Sequence, residues 1–181
     1  MIIAKTLLKQ IEAGLDHADW YIHANRRLSD VAYSLDTTPE KLALVLAALS
    51  PRVQVARSVR MSFHFLKTGE CHPSTMQGVR TSLFNGLKNG RLTGPKTENF
   101  RRAILGDGDA LTLDVWTCRG LNVDQKKAYQ KSVFPAVERL FKRASRATGL
   151  SVAQCQAAQW AGTMRTYGRK TIPLLFDGVK I

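Results

Sequence analysis

Residues Asn85–Arg119 read NGLKNGRLTGPKTENFRRAILGDGDALTLDVWTCR, and the fold turns on how the pieces of that string are joined. An amphipathic run ends at Gly90, which suits the position just past a helix, where a left-handed backbone costs a glycine little. Gly94 and Pro95 then restart the chain, since proline at the first helical position gives up only an N–H that has no intrahelical partner. Two helices joined by so short a glycine-bearing turn make a helix-hairpin-helix, placed over residues 84–105. The second helix presents its first amides outward. In a chain of net charge +13 those amides mark a seat for a phosphate.

Lys96 falls in the first turn of the second helix, the end where the helix dipole disfavours a cation. Facing solvent, it is a point charge for a phosphate. Buried, it becomes a neutral amine with a nucleophile's lone pair, because desolvation and the dipole both act against the charged form. Asp114 follows eighteen residues later, after the apolar run Ala110 to Leu113, and Arg119 five residues beyond it. On its own, Asp114 also reads as a helix N-cap.

The residues Gly94-Pro95-Lys96-Thr97, the gap to Asp114 and the following Arg119 resemble the signature of the helix-hairpin-helix DNA glycosylases, the endonuclease III and oxoguanine glycosylase superfamily. Ala48-Leu49-Ser50-Pro51-Arg52 is similar to the helix end from which that family inserts a polar residue into the DNA stack. The wider pattern (AALSPR, GPKTENF, LGD, LTLDVW, QAAQW) is also similar to glycosylase-like proteins encoded by bacteriophages. The resemblance implies that Lys96 attacks the sugar C1′ to form an imine and that Asp114 assists departure of the base. It further implies DNA contacts from Arg52, Gly94, Thr97 and Arg119, and the charge excess adds Arg57, Arg60 and Arg91 to the expected DNA contacts. Three positions depart from the pattern. Leu92 stands where the family's hairpin has glycine, Pro95 removes one amide, and Trp116 replaces a histidine that touches the DNA backbone in many relatives.

The charge balance points the same way: 27 Lys+Arg against 14 Asp+Glu, with a pI near 10.1, calls for a polyanionic partner. At 181 residues the chain fits a single domain with a continuous core, spanning 1–181. Cys71, Cys118 and Cys155 are too few and too scattered for a disulfide framework, a zinc site or the four-cysteine iron–sulfur loop of some glycosylase relatives. No metal is expected, and no cofactor beyond a monovalent cation at the hairpin. The opening MIIAKTLLKQ lacks a secretory apolar region, and no run is long enough to span a bilayer. The expected setting is cytoplasmic (a bacterial host cell for a phage-encoded chain), the partner DNA, and the protein a monomer.

Outside the hairpin the chain also reads as helical. Leu7, Leu8, Ile11 and Leu15 recur at helical spacing within residues 3–35. Thr38 and Pro39 open a helix whose body, KLALVLAALS, is apolar nearly all round and belongs at the centre of the core. Pro51 ends it. A helix over 52–67 places Arg57, Arg60 and His64 near one face, either a solvated stripe or a phosphate track, and Gly69 stops it. Ser74 is the expected cap of the helix entering the hairpin. Residues 124–147 read as helix, kinked or restarted at Pro135. Ser151 with Gln154 forms a capping box for the last helix, on which Gln156 and Trp160 share a face before Gly168 ends it. The tail GRKTIPLLFDGVKI reads as a short strand or an extended cover. Strand patterning is nearly absent, so the expected fold is all-α, a two-lobed helical bundle. Trp20, Tyr21, Trp116 and Trp160 are the candidate walls of a base pocket, with core packing as the alternative for each.

Three functions fit these residues. One is a DNA glycosylase with associated abasic-site lyase activity, acting through Lys96 and Asp114. The second is a non-catalytic helix-hairpin-helix DNA-binding protein. The third is a glycosylase-fold enzyme that modifies a thymine derivative in DNA. Fold alone does not choose among them.

Overall fold

A computed structural model describes residues 2–169 and 172–179. The described residues form nine α-helices and a short 3-10 turn, with no strand, so the chain is all-α. It divides into two compact units. The first joins the residues up to Tyr21 with Asp107–Ile172, and the second joins Ile22–Gly106 with the stretch from Pro173 onward.

In the first unit, α1 (Ile2–Ala13), the 3-10 turn (Leu15–His17), α7 (Val115–Leu121) and α8 (Phe134–Thr148) gather round α9 (Val152–Thr166). Helix α9 sits at the centre because its sequence, VAQCQAAQWAGTMRT, is mostly small residues with no charge before Arg165, and Val152, Ala153, Cys155 to Gln159 and Ala161 to Met164 are buried. A Cβ on Gly162 would lie 2.0 Å from the Gln10 carbonyl oxygen, and one on Gly14 would lie 2.1 Å from that of Ala158. Glycine at these two positions is what lets the backbones of α1 and α9 approach. The capping box at Ser151 and Gln154 forms with both hydrogen bonds present. At the other end Gly168 turns left-handed (φ +80°), and the Arg169 amide reaches back to the Met164 carbonyl, closing the helix. Leu7, Ile11, Leu111, Leu113, Leu121, Val137 and Phe141 fill the apolar centre of this unit.

Two expectations are corrected here. Leu8, within α1, and Leu15 face solvent, 39% and 53% exposed; Leu15 leaves the helical register because the helix ends at Ala13 and Leu15 falls in the 3-10 turn. Residues 124–133 are turns rather than helix, and Pro135 lies in the first turn of α8. There its missing N–H removes no intrahelical bond, so proline begins the helix instead of kinking it.

In the second unit α3 (Pro39–Leu49) is packed by α4 (Val55–Thr68), α5 (Gln77–Asn89) and α6 (Pro95–Ile104), with most of α2 (Trp20–Ser34) preceding them. Thr38 caps α3 by accepting the Lys41 amide at 3.2 Å, and every residue from Leu42 to Leu49 is buried. The apolar centre comprises Leu44, Val45, Leu49, Met61, Phe65, Leu83 and Leu92. Helix α4 begins at Val55, not residue 52, because Pro51 to Gln54 form the bend that turns the chain off α3. Met76, not Ser74, holds the cap position of α5. The Ser74 hydroxyl instead accepts from Arg57 at 2.9 Å and lies 2.8 Å from His72 Nδ1. The described part of the tail makes a turn at 175–178, and Arg27 donates to the Phe176 carbonyl at 2.9 Å. Residues 170–171 and 180–181 of the tail motif lie outside the described residues. No helix among the described residues is long and apolar enough to cross a membrane.

Candidate functional site

The hairpin forms as its glycines and proline require. Helix α5 ends at Asn89, Gly90 takes a left-handed conformation (φ +68°), and α6 starts at Pro95 behind Gly94. Leu92, which stands where the hairpins it resembles have glycine, has a structural use: it is buried, and it plugs the apex into the core. A Cβ on Gly86 would stand 2.6 Å from Leu92 Cδ2, so the missing side chain on α5 makes the socket that Leu92 fills. The Leu92 amide donates to Glu98 Oε2 at 2.9 Å. Arg101 holds the same carboxylate through two hydrogen bonds, at 2.9 and 2.6 Å. Partial burial acts to raise the Glu98 carboxyl. The Arg101 guanidinium and the Leu92 amide outweigh it and leave the group below its ordinary range. One amide of the hairpin is thus served by an internal anion. The Thr97 hydroxyl donates to the Gly94 carbonyl at 3.0 Å and tightens the turn from the other side.

Lys96 is half-buried in the first turn of α6. Arg52, Arg57, Arg60 and Arg91 are exposed, as a phosphate contact must be. Arg52 has a backbone φ of +61°, in the left-handed region where a residue with a Cβ is strained. Of the sequence-predicted site residues, Lys96, Gly94, Thr97 and these four arginines belong to the second unit. Asp114, Arg119 and the four aromatics belong to the first.

Asp114 is the N-cap of α7. Its Oδ1 accepts the Thr117 amide at 2.8 Å, so its structural reading is realised. Behind it runs a buried polar chain absent from the sequence reading. The Thr117 hydroxyl accepts from Gln156 Nε2 at 3.0 Å, and Gln156 Oε1 accepts from the Tyr21 hydroxyl at 2.8 Å. Thr117 and Gln156 are buried, and burial pushes the Tyr21 phenol well above its usual value, so it stays a neutral donor. Gln159, fully buried one turn further on, donates to Gln10 and Thr163. A Cβ on Gly120 would come within 2.3 Å of Gln159 Nε2 and Thr163 Oγ1, so a larger residue there would displace these polar side chains. The sequence signal was the pair of glutamines on the inner face of α9, which a purely apolar core would not carry.

The four aromatics differ in their ring contacts, although Trp116 and Trp160 both pack on Ala161, Met164 and Ile172. Trp20, Tyr21 and Trp160 meet edge to face, with ring centroids 5.0 Å apart for Trp20 and Tyr21 and 5.9 Å for Trp20 and Trp160. Trp20 and Tyr21 are buried, 4% and 7% exposed, and pack as core. Trp116 is half-buried, pairs with Tyr167 at 5.8 Å, and lies under the Arg119 guanidinium, 4.9 Å from its ring centroid. Among the described residues no cluster of three His, Cys, Asp or Glu side chains could hold a metal ion.

A family model described as a family of unknown function, DUF7178, matches residues 7–166. The chain belongs to the DUF7178 family. That match runs from Leu7 in α1 to the last residue of α9, so the DUF7178 pattern takes in the hairpin, Lys96 and Asp114. No curated protein and no solved structure matches the chain.

Proposed function

We propose that this DUF7178 protein is a DNA glycosylase with an associated abasic-site lyase activity. The observation that supports it most is the hairpin. Helix α6 opens with Gly94, Pro95 and Lys96, and the next helix in the chain, α7, opens with a carboxylate pinned by its own first turn. An excised base must leave the stack, and the sugar develops positive charge at C1′ as it goes. The Asp114 carboxylate stabilises that charge. The Lys96 amine forms a bond to C1′ while the C1′–N bond to the base breaks, its electron pair leaving with the base, which takes up a proton. Loss of a proton from the amine and opening of the sugar ring give an imine, from which β-elimination breaks the 3′ C–O bond. DNA is the partner, and the exposed arginines of the second unit hold its phosphates.

Asp114 separates chemistry from architecture. Asparagine is as good an N-cap as aspartate, so Asp114→Asn keeps the fold and removes only the charge. On oligonucleotides carrying uracil, hydroxymethyluracil, oxoguanine or an abasic site, the wild type should release free base or cleave the abasic strand. Asp114→Asn should slow base release by orders of magnitude with an unchanged melting temperature. Equal rates for the two proteins would remove Asp114 from the chemistry. Turnover without free base, and only when a second substrate is supplied, would identify a base-modifying enzyme instead.

A further inference from the structure

Within the first unit, Trp116 and Arg119 on α7 meet Tyr167, the residue that ends α9. The Arg119 guanidinium carbon lies 4.9 Å from the Trp116 ring centroid and 5.9 Å from that of Tyr167, and the two rings are 5.8 Å apart. Their exposures run in order: Trp116 is half-buried, Arg119 is exposed, and Tyr167 is 58% exposed. Trp116 is therefore the floor of the cluster, and the solvent-facing surface belongs to Arg119 and Tyr167. Tyr167 is fixed from below, its amide bonded to the Thr163 and Met164 carbonyls and the following Gly168 closing the helix. An exposed tyrosine on such an anchor presents its ring at little cost in conformational freedom.

We infer that Arg119 and Tyr167, laid over Trp116, form a stacking platform for an unpaired base of a nucleic acid strand. This rests on the reading of the protein as a DNA enzyme and extends it to the single-stranded part of the substrate. Three features of the surface select this occupant. A guanidinium plane and an aromatic ring side by side suit the flat face of any base. Arg169, two residues past Tyr167 in the chain, is exposed and adds a cation beside Arg119, whereas Arg165 is held by Asp16 at 2.7 and 2.6 Å. The net charge of +13 excludes a basic partner and favours a polyanion.

The test uses the full chain and two labelled probes: a short single strand of thymidines, and the same length of strand built of tetrahydrofuran sugars, an abasic analogue with no C1′ hydroxyl and so no imine to form. Binding is read by anisotropy across a salt series. Tyr167→Ala should weaken the thymidine strand on the order of tenfold, the scale of one stacked base, with its salt slope unchanged. It should leave the abasic strand as in the wild type, because that strand has phosphates and nothing to stack. Tyr167→Phe should bind as the wild type. Arg119→Ala should weaken both strands and reduce the salt slope by roughly 0.7, the contribution of one phosphate contact on a single strand. The platform is refuted if Tyr167→Ala binds thymidines normally, or if it loses as much on the abasic strand. Normal base release with Tyr167-independent single-strand binding would sink the platform alone. A Tyr167 effect without base release on any substrate would sink the glycosylase reading alone. No nucleic-acid binding at all would sink both.

Discussion

Arg52 carries a plain backbone cost at a position proposed to touch DNA. Its φ of +61° is a glycine's conformation, it is exposed, and it stands just past Pro51 at the end of the buried helix α3. A left-handed backbone at a residue bearing a Cβ costs roughly 1–2 kcal/mol. Arg52→Gly should therefore stabilise the protein by about 1 kcal/mol, part of the gain being offset by glycine's extra freedom in the unfolded chain. The same variant should bind duplexes with a missing base more weakly. Thermal melting and anisotropy together check the opposed signs; a destabilised Arg52→Gly would mean that the side chain holds the bend. Asp114 and Tyr21 were legible as residues of note, but not for what holds them. Asp114 is a helix cap as well as a candidate catalytic group, and the Tyr21 hydroxyl is consumed by Gln156 in the interior. Spacing along a chain reveals which residues share a helix face. It does not reveal which buried polar atoms find each other from positions 135 residues apart.

At the scale of elements, the hairpin is the part most fully written in the sequence. Gly90 takes the left-handed backbone that glycine favours and Pro95 the first-turn position that proline suits, so the end of α5 and the start of α6 fall where those residues stand. Thr38–Pro39 and Ser151–Gln154 fixed two more helix starts for the same reason. Ser74 failed as a cap because Arg57 and His72 engage its hydroxyl, a tertiary contact invisible to local pattern. The latch of Glu98 on the Leu92 amide was likewise hidden, since it needs the hairpin already folded. Its effect on stability carries a definite sign with pH. The folded carboxyl titrates below its unfolded value, so the latch stabilises fully above the ordinary carboxylate range and loses its contribution as the pH falls through the lowered folded value. Glu98→Gln should lower stability by about 1 kcal/mol at neutral pH, where a charged hydrogen-bond acceptor is replaced by a neutral one. The difference from the wild type should shrink at an acid pH below the lowered folded value. Melting curves at both pH values decide it, and a gap that persists unchanged in acid would deny the carboxylate its role.

For the molecule as a whole, the sequence-predicted site residues divide between the two compact units: Lys96, Arg52, Arg57, Arg60 and Arg91 belong to one, and Asp114, Arg119 and the aromatics to the other. Lys96 and Asp114 stand at the starts of α6 and α7, consecutive helices of the chain, and the proposal that they act together is a claim about chemistry that chemistry can test directly. The measurement is borohydride trapping on DNA that carries an abasic site or an excisable base, with the wild type beside Lys96→Ala. An imine at C1′ is reduced to a stable amine, so the wild type should yield a covalent protein–DNA adduct. Lys96→Ala should yield none while keeping its melting temperature and most of its affinity, because it loses one cation among many. An adduct of equal yield from Lys96→Ala, or base release by the wild type with no adduct on any substrate, would contradict Lys96 as the nucleophile.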